Sequence, residues 1–347
     1  MSLEFWLSTR SIPLSRRAAA LEKAGWDGVA FNESQNRAGG DPYVALTAAA
    51  LTTSRIKLAT GVTNPVTRHP AVTATSIASV QAESGDRVSL GIGRGDSALA
   101  HLGLRPASVE TLRWYVSCVQ AYLRGEEIPM AVAAGGATHL IDERLPLADL
   151  PPSSRLQWLA YQAPEHKVPV FVVASGPRVI RLAAELADRV TLAVGADPAR
   201  VKWAVDIARE VRPDVPIGAF VNVVVHDDPR QALRRSAGRI ASFARFSAMH
   251  GVTAGPLAPA QQEVLEGLAA DYQMTQHGGE GTQTRRLTME FAERFAILGS
   301  PSHCIERLGE LAALGVDRFH IVGATTEYES ESRRNFVKHV MEPMRAG

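Results

Sequence analysis

Val168-Pro-Val-Phe-Val-Val-Ala174 is apolar at every position, and Ser175-Gly176-Pro177 follows it at once. A strand with no polar face has to be covered on both sides, which is the condition of a parallel sheet packed between helices. Pro177 suits the first position of a helix, predicted here over 177–187. The same alternation extends outward in both directions. Towards the N-terminus, strands begin at 3, 28, 56 and 87, with helices over 15–25 (Ser15 as N-cap), from Pro42, over 70–84 and over 109–123. Towards the C-terminus, strands begin at 189, 217 and 318, with helices over 197–211, 229–248, 301–314 and 330–344. Eight strands, each followed by a helix, predict an α/β chain folded as a (β/α)8 TIM barrel; a doubly wound open sheet is the alternative. Two stretches break the rhythm. Residues 125–167 hold Gly135-Gly136 and Pro151-Pro152, and residues 250–285 are rich in Gly and Gln. Both are predicted as irregular insertions in one domain spanning 1–347. Function in such a barrel sits on the loops that follow the strands.

Composition narrows the function classes. Of 347 residues, 46% are hydrophobic and 21% charged, which excludes disorder as the main state. Lys plus Arg is 37 and Asp plus Glu is 36, so the net charge is +1 and the basic footprint of a nucleic-acid binder is missing. The longest apolar run is Val168 to Ala174, far short of the roughly 20 residues a membrane span needs. No basic region followed by an apolar stretch opens the chain, so no signal peptide is expected. Cys118 and Cys304 cannot form a disulfide framework and read as buried small residues of a cytoplasmic protein. The phosphate loop G-x-x-x-x-G-K-[ST], the nucleophile elbow G-x-S-x-G and the zinc motif H-E-x-x-H are all absent, and no metal site is expected.

Gly91-Ile-Gly93-Arg-Gly95-Asp96 imitates a dinucleotide fingerprint, but its sixth position is Asp and it follows the fourth strand with no clear helix at once. The same glycines let backbone approach a ligand, or simply make a tight turn. Thr60-Gly-Val-Thr-Asn-Pro65 puts a polar cluster where strand three stops. Ala174-Ser-Gly-Pro177 leads straight into a helix whose first N–H groups can meet a phosphate. Val194-Gly195 offers another open approach. Glycine-bearing strand ends on one barrel face point to a flat, phosphorylated ligand.

These segments also carry a resemblance. Ala59-Thr-Gly-Val-Thr-Asn-Pro-Val-Thr-Arg-His-Pro70 resembles the third strand of luciferase-like monooxygenases, and Leu90-Gly-Ile-Gly-Arg-Gly-Asp-Ser-Ala98 resembles the fourth-strand motif of the branch containing methylenetetrahydromethanopterin reductase. Ala174 to Pro177, Phe295 to Pro301 and Gly315 to Phe319 are similar to further segments of that branch. The resemblance implies a barrel that binds a flavin or deazaflavin: coenzyme F-420 in the reductase branch, FMN elsewhere. Carried over, it puts Asn32 and Glu33 at the border of the ring and Thr60, Gly61, Val62, Thr63 and Asn64 beneath it. Gly93, Arg94, Gly95, Asp96 and Ser97 lie along its polar side, and Ala174, Ser175, Gly176, Val194 and Gly195 hold the phosphate. It further implies a cis peptide at Gly61–Val62, against an ordinary bulged strand end. The reductases resembled often carry Glu at the end of strand one, where this chain has Ser8, which leaves the substrate open.

For proton transfer near the ring the candidates are Glu33, Asp96 and His277, the last in Asp271-Tyr-Gln-Met-Thr-Gln-His-Gly278. Their plainer roles are a strand-end hydrogen bond, a loop cap and a solvated loop residue. The expected activity is coenzyme F-420-dependent hydride transfer to or from a small organic substrate. The alternatives are an FMN-dependent monooxygenase using O2, partnered by a flavin reductase, and a non-catalytic cofactor-binding barrel. A homodimer or higher homo-oligomer is expected, with neither nucleic acid nor membrane as partner.

Overall fold

The computed structural model describes residues 3–11, 14–34, 39–135, 151–159, 164–248, 253–279, 281–325 and 327–346. Nine strands belong to one sheet: β1 (Glu4–Arg10), β2 (Gly28–Asn32), β3 (Lys57–Thr60), β4 (Val88–Ile92), β5 (Val170–Ala174), β6 (Arg189–Leu192), β7 (Ile217–Val225), β8 (Ile297–Gly299) and β9 (Val316–Val322). Their hydrogen-bonded order is β8-β7-β9-β1-β2-β3-β4-β5-β6, and β6 pairs in turn with β7. Eight strands therefore close a ring, and β8 is an extra partner on β7. The pairing is parallel: Trp6 stands opposite His320, His320 opposite Phe220, and Val190 opposite Ile217. This is the expected (β/α)8 barrel, and each of the eight predicted strands starts within two residues of its expected place.

The labelled helices are α1 (Ala18–Lys23), α2 (Pro42–Thr52), α3 (Pro70–Ser84), α4 (Val109–Leu123), α5 (Pro177–Leu186), α6 (Pro198–Val211), α7 (Pro229–Arg245), α8 (Pro259–Ala270), α9 (Pro301–Ala313) and α10 (Glu329–Phe336). Seven open with proline, whose fixed φ suits a first helical turn that needs no N–H partner. Three of those begin Asp-Pro. Asp41 accepts from Tyr43 N at 2.8 Å, Asp197 from Ala199 N at 2.9 Å and Asp228 from Arg230 N at 2.8 Å. Each such cap is worth about 1 kcal/mol. Helix α5 begins Gly-Pro and has no side-chain cap.

Some local expectations are corrected. The first predicted helix starts as a 3-10 turn, Leu14–Arg17, and the capping side chain assigned to Ser15 lies outside the described residues. A short helix, Ser97–Ala100, does follow the Gly91 to Asp96 turn. Within 250–285, predicted as irregular, α8 forms because Leu265 and Leu268 bury against Ile240, Phe291 and Phe295. Within 125–167, Ile128–Pro129 pairs antiparallel with Ser153–Ser154. Residues 136–150 and 160–163 of that insertion, Gly136 among them, lie outside the described residues. The closing helix passes through a π-turn at Val337–Met341.

Contacts divide the chain into two compact units. One comprises Arg10–Ala19 and Phe31–Phe171; the other comprises Met1–Thr9, Ala20–Ala30 and Val172–Gly347. In the first, α3 and α4 are joined at a buried hydrogen bond of 2.5 Å between Thr73 Oγ1 and Tyr115 Oη. In the second, the paired register of β1, β9 and β7 stacks His320 on Phe220 (centroids 4.6 Å apart) with Trp6 on its other side at 5.4 Å. His320 is fully buried, and burial with the charges of Arg318 and Arg189 holds its imidazole well below the usual value, hence neutral. Cys118 and Cys304 are free and buried; burial pushes the Cys304 thiol up to about 12 and the Cys118 thiol upward as well. Among the described residues no helix is long and apolar enough to cross a membrane, and no cluster of three or more His, Cys, Asp or Glu could hold a metal ion.

Candidate functional site

In the first unit the ends of β2, β3 and β4 are tied together by side chains where the regular ladder stops. Thr60 Oγ1 donates to the Gly91 carbonyl at 2.8 Å and accepts from Gly91 N at 2.9 Å. Gly61 N donates to the Phe31 carbonyl at 2.7 Å. The Gly61–Val62 peptide is cis, as the resemblance implied. The chain then returns to β4: Thr63 N donates to Gly91 O and Gly93 N to Thr63 O, both at 2.9 Å. Gly91 is compulsory here, because a Cβ on it would lie 2.3 Å from the Thr60 carbonyl oxygen and from the Phe171 ring.

Glu33 is the hub of this arrangement. Its side chain is wholly buried and accepts from Thr63 Oγ1 at 2.6 Å, Thr67 Oγ1 at 3.0 Å, Asn64 Nδ2 at 3.3 Å and Arg68 Nη1 at 2.5 Å. All four donors lie within residues 63–68, so one carboxylate fixes the whole loop after β3. Asn64 tightens the loop further by accepting from Val66 N and Thr67 N. Arg68 also pairs with Asp41 and lies 4.8 Å over the Tyr43 ring. Burial lowers the affinity of Arg68 for its proton, but Glu33 and Asp41 outweigh that and raise it. Burial pushes the Tyr43 hydroxyl up to about 12, so it stays protonated and faces Thr63 and Thr73.

The neighbouring candidates stand apart from that hub. Asn32 accepts Ser11 Oγ on its carbonyl at 2.5 Å, while its side-chain Oδ1 is buried without a hydrogen-bond partner among the described residues. Asp96 occupies the cap position of helix Ser97–Ala100, but its carbonyl, not its side chain, accepts from Leu99 N and Ala100 N. Arg94 Nε donates to Ala107 O at 2.6 Å. The space beside Gly93 and Gly95 is claimed by protein: added Cβ atoms would meet Val62 at 3.0 Å and Leu99 at 2.3 Å.

The second unit gathers the other candidates. Ala193 N donates to Ala174 O, and Ser175 Oγ donates to the Phe246 carbonyl at 2.9 Å. A Cβ on Gly176 would meet nothing within 4 Å, so the uncapped start of α5 is approachable. Gly195 has φ +85°, with the Phe295 ring packed against it. Beside Val194 lies a residue the sequence did not single out. Arg200 is 2% exposed; its Nε donates to Val194 O and its Nη2 to Ser247 Oγ, both at 3.2 Å, and its Nη1 has no partner among the described residues. Burial lowers its pKa and nearby Asp197 opposes the shift. Its position one turn into the helix after Val194-Gly195 was the available signal.

His277 is held in the same unit. Its Nδ1 lies 2.6 Å from Tyr272 Oη, which donates to Ser242 Oγ at 3.0 Å. The Arg245 guanidinium sits 4.5 Å over the Tyr272 ring. Ser242 is in α7, one turn before Phe246, the residue whose carbonyl holds Ser175.

Known proteins are similar to this chain in sequence and in fold. The family model for luciferase-like monooxygenase matches residues 13–318. The 5,10-methylenetetrahydromethanopterin reductase of Methanolobus tindarius is 27% identical over 328 residues, 90% of this chain and 91% of that protein. The coenzyme F-420-dependent glucose-6-phosphate dehydrogenase of Microbacterium testaceum is 27% identical over 282 residues, 76% and 71% of the two chains. In structure, the coenzyme F-420-dependent tetrahydromethanopterin reductase of Methanopyrus kandleri matches with a TM-score of 0.71 at 20% identity, covering 99% of this chain and 100% of that one. With a family match across most of its length and the barrel to go with it, the chain belongs to the luciferase-like monooxygenase family.

Proposed function

We propose that the protein is an oxidoreductase that binds coenzyme F-420 and carries out hydride transfer to or from a small organic substrate. The observation that carries this reading is the similarity, over 76% of the chain, to a dehydrogenase named for that coenzyme, beside the similarity over 90% of the chain to a methylenetetrahydromethanopterin reductase. The residues fit such a ligand in two places. Asn32 Oδ1, a buried acceptor with no described partner, suits an N–H on a polar ring edge. The uncapped start of α5, the open side of Gly176 and the unmatched Nη1 of buried Arg200 suit a phosphate.

When bound, the coenzyme supplies the two-electron hydride chemistry, and the protein supplies position and proton handling. Thr60 to Asn64 would hold the ring, and Gly93 to Ser97 would flank it. Ala174 to Gly176 with Val194 and Gly195 would hold the phosphate. Glu33 keeps the ring-bearing loop in shape. His277, exposed in part and with Nδ1 2.6 Å from Tyr272 Oη, would carry the proton; Asp96 is the second candidate.

Titration of the purified protein with coenzyme F-420 and with FMN, followed by fluorescence, tests the reading. The expected outcome is that coenzyme F-420 binds at least tenfold more tightly than FMN, a margin of about 1.4 kcal/mol. The opposite order assigns the chain to FMN and O2 chemistry. Tight binding of neither makes it a barrel without this cofactor.

A further inference from the structure

We infer that His69 is a positioning residue that joins the start of the 125–167 insertion to the loop after β3, and that it does so as a neutral imidazole with its proton on Nε2. The inference rests on the reading of residues 60–64 as the ring-bearing segment for its functional meaning. It follows from two hydrogen bonds whose other ends have one role each. His69 caps α3, and its Nδ1 lies 3.2 Å from Ala71 N. A backbone N–H can only donate, so Nδ1 must be the nitrogen with the lone pair. Its Nε2 lies 2.9 Å from the Ala133 carbonyl. A carbonyl can only accept, so Nε2 must carry the proton. Both ring nitrogens are thereby assigned by their partners. A proton added at Nδ1 sets N–H against N–H at Ala71, while the bond from Nε2 to Ala133 survives it. The charged ring therefore keeps the insertion and loses the first turn of α3.

Pro70 has no N–H, so Ala71 offers the first donor of α3, and the loop of residues 63–68 ends just before the cap. Glu33 holds that loop through Thr63, Asn64, Thr67 and Arg68, and His69 fastens its far end. On the insertion side, Ala133 is 2% exposed and closes the short helix Met130–Ala133. Trp114 of α4 grips the same turn. Its Nε1 donates to Val132 O at 2.7 Å, and its ring meets that of His69 edge to face, 6.4 Å between centroids at 76°. All of these residues lie in one compact unit. On the elements packed against the ring, the nearest charged side chains along the chain are Arg68, paired with Glu33 and Asp41, then Glu110 and Arg113 of α4, and Glu127 before the short helix. Tyr115, beside Trp114, is bonded to Thr73. Neither Met130–Ala133 nor the first turn of α3 carries a charged side chain. The sequence offered His69 only inside the run Ala59 to Pro70; the carbonyl it reaches is 64 residues later.

Nitrogen-15 NMR of the full chain, above the pH at which the ring titrates, reads the tautomer without coenzyme or substrate. The expected His69 signature is a pyridine-like Nδ1 and a pyrrole-like Nε2. As pH is lowered, the Ala71 amide signal shifts with the same midpoint as the ring nitrogens. His69→Asn supplies a cap that does not titrate and is too short to reach Ala133 as well. In that variant the Ala71 signal no longer follows pH. Its Ala134 amide, which donates to Met130 O at 2.9 Å, exchanges with deuterium about fivefold faster than in wild type or more. The ratio of wild-type to His69→Asn affinity for coenzyme F-420 falls about fivefold as His69 takes its proton, a comparison in which the coenzyme's own titration cancels. Unchanged far-UV circular dichroism shows that the variant folds. A ring with its proton on Nδ1, equal Ala134 exchange in the two proteins, or an affinity ratio constant with pH overturns the inference. Failure to bind coenzyme F-420 at all removes the proposed function instead, and the NMR and exchange results stand without it.

Discussion

Glu33 concentrates more geometry than any other candidate side chain, since one buried carboxylate gathers four donors from a single loop. Replacing it with glutamine keeps the volume and removes the charge that Arg68 needs. Breaking one partner out of a buried pair costs about 3–5 kcal/mol. The expected outcome of Glu33→Gln is a loss of about 3 kcal/mol in urea unfolding, with coenzyme affinity falling as the loop loosens. A change below about 0.5 kcal/mol, typical of surface substitutions, would show that Glu33 does not hold the loop. His320 makes a different prediction. Its pKa is depressed in the folded chain, so the unfolded chain takes up the extra proton as pH falls. Its contribution is complete above the unfolded value of about 6.5 and is lost as pH drops from there towards the folded value, at up to about 1.4 kcal/mol per pH unit. Urea midpoints of wild type and His320→Phe across that range check this: the wild type is the more acid-sensitive, and parallel curves refute it. The sequence placed Glu33 at a strand end correctly enough to name it. It did not reveal Thr67 and Arg68 as partners, because their bonds to Glu33 span more than 30 residues and no local period encodes them.

At the scale of elements, two glycines that look alike in sequence have opposite surroundings. Gly91 sits inside β4 against the Thr60 carbonyl and the Phe171 ring, whereas Gly176 opens α5 with empty space beside it. Gly91→Ala must displace backbone and is expected to cost about 1–3 kcal/mol, the range for overpacking. Gly176→Ala keeps stability within about 0.5 kcal/mol, since its φ of −119° suits any residue. A bulkier Gly176→Val is expected to weaken coenzyme binding tenfold or more. Equal binding by Gly176→Val and wild type would move the phosphate away from α5. The strands were legible because each is a short apolar run ended by a turn residue, and four of the helices because Asp-Pro or Ser-Pro announces them. Helix α8 was hidden among Gly and Gln, although Leu265 and Leu268 give it a buried edge. Strand β8 is three residues long, too short for any period, and exists because β7 offers it an edge.

For the whole molecule, ligand linkage and cooperativity set what can be measured. Coenzyme at 100 times its dissociation constant stabilises the folded chain by about 2.7 kcal/mol. The expected rise in melting temperature is several degrees with coenzyme F-420 and smaller with FMN at the same concentration. An equal rise with both removes the preference. The two thiols provide an independent clock. Cys118 and Cys304 are walled off from solvent, and neither offers a thiolate near neutral pH. A maleimide therefore finds nothing to alkylate in the intact protein, and each adduct counted by mass spectrometry marks an excursion in which the α4 or α9 segment came undone. Alkylation of the native chain is expected to take far longer than that of the urea-unfolded chain, and to slow again once coenzyme is bound. The protein thus carries its own pair of silent reporters, one in each compact unit, and any cysteine introduced at the surface would be the sole fast-labelling position for a fluorophore.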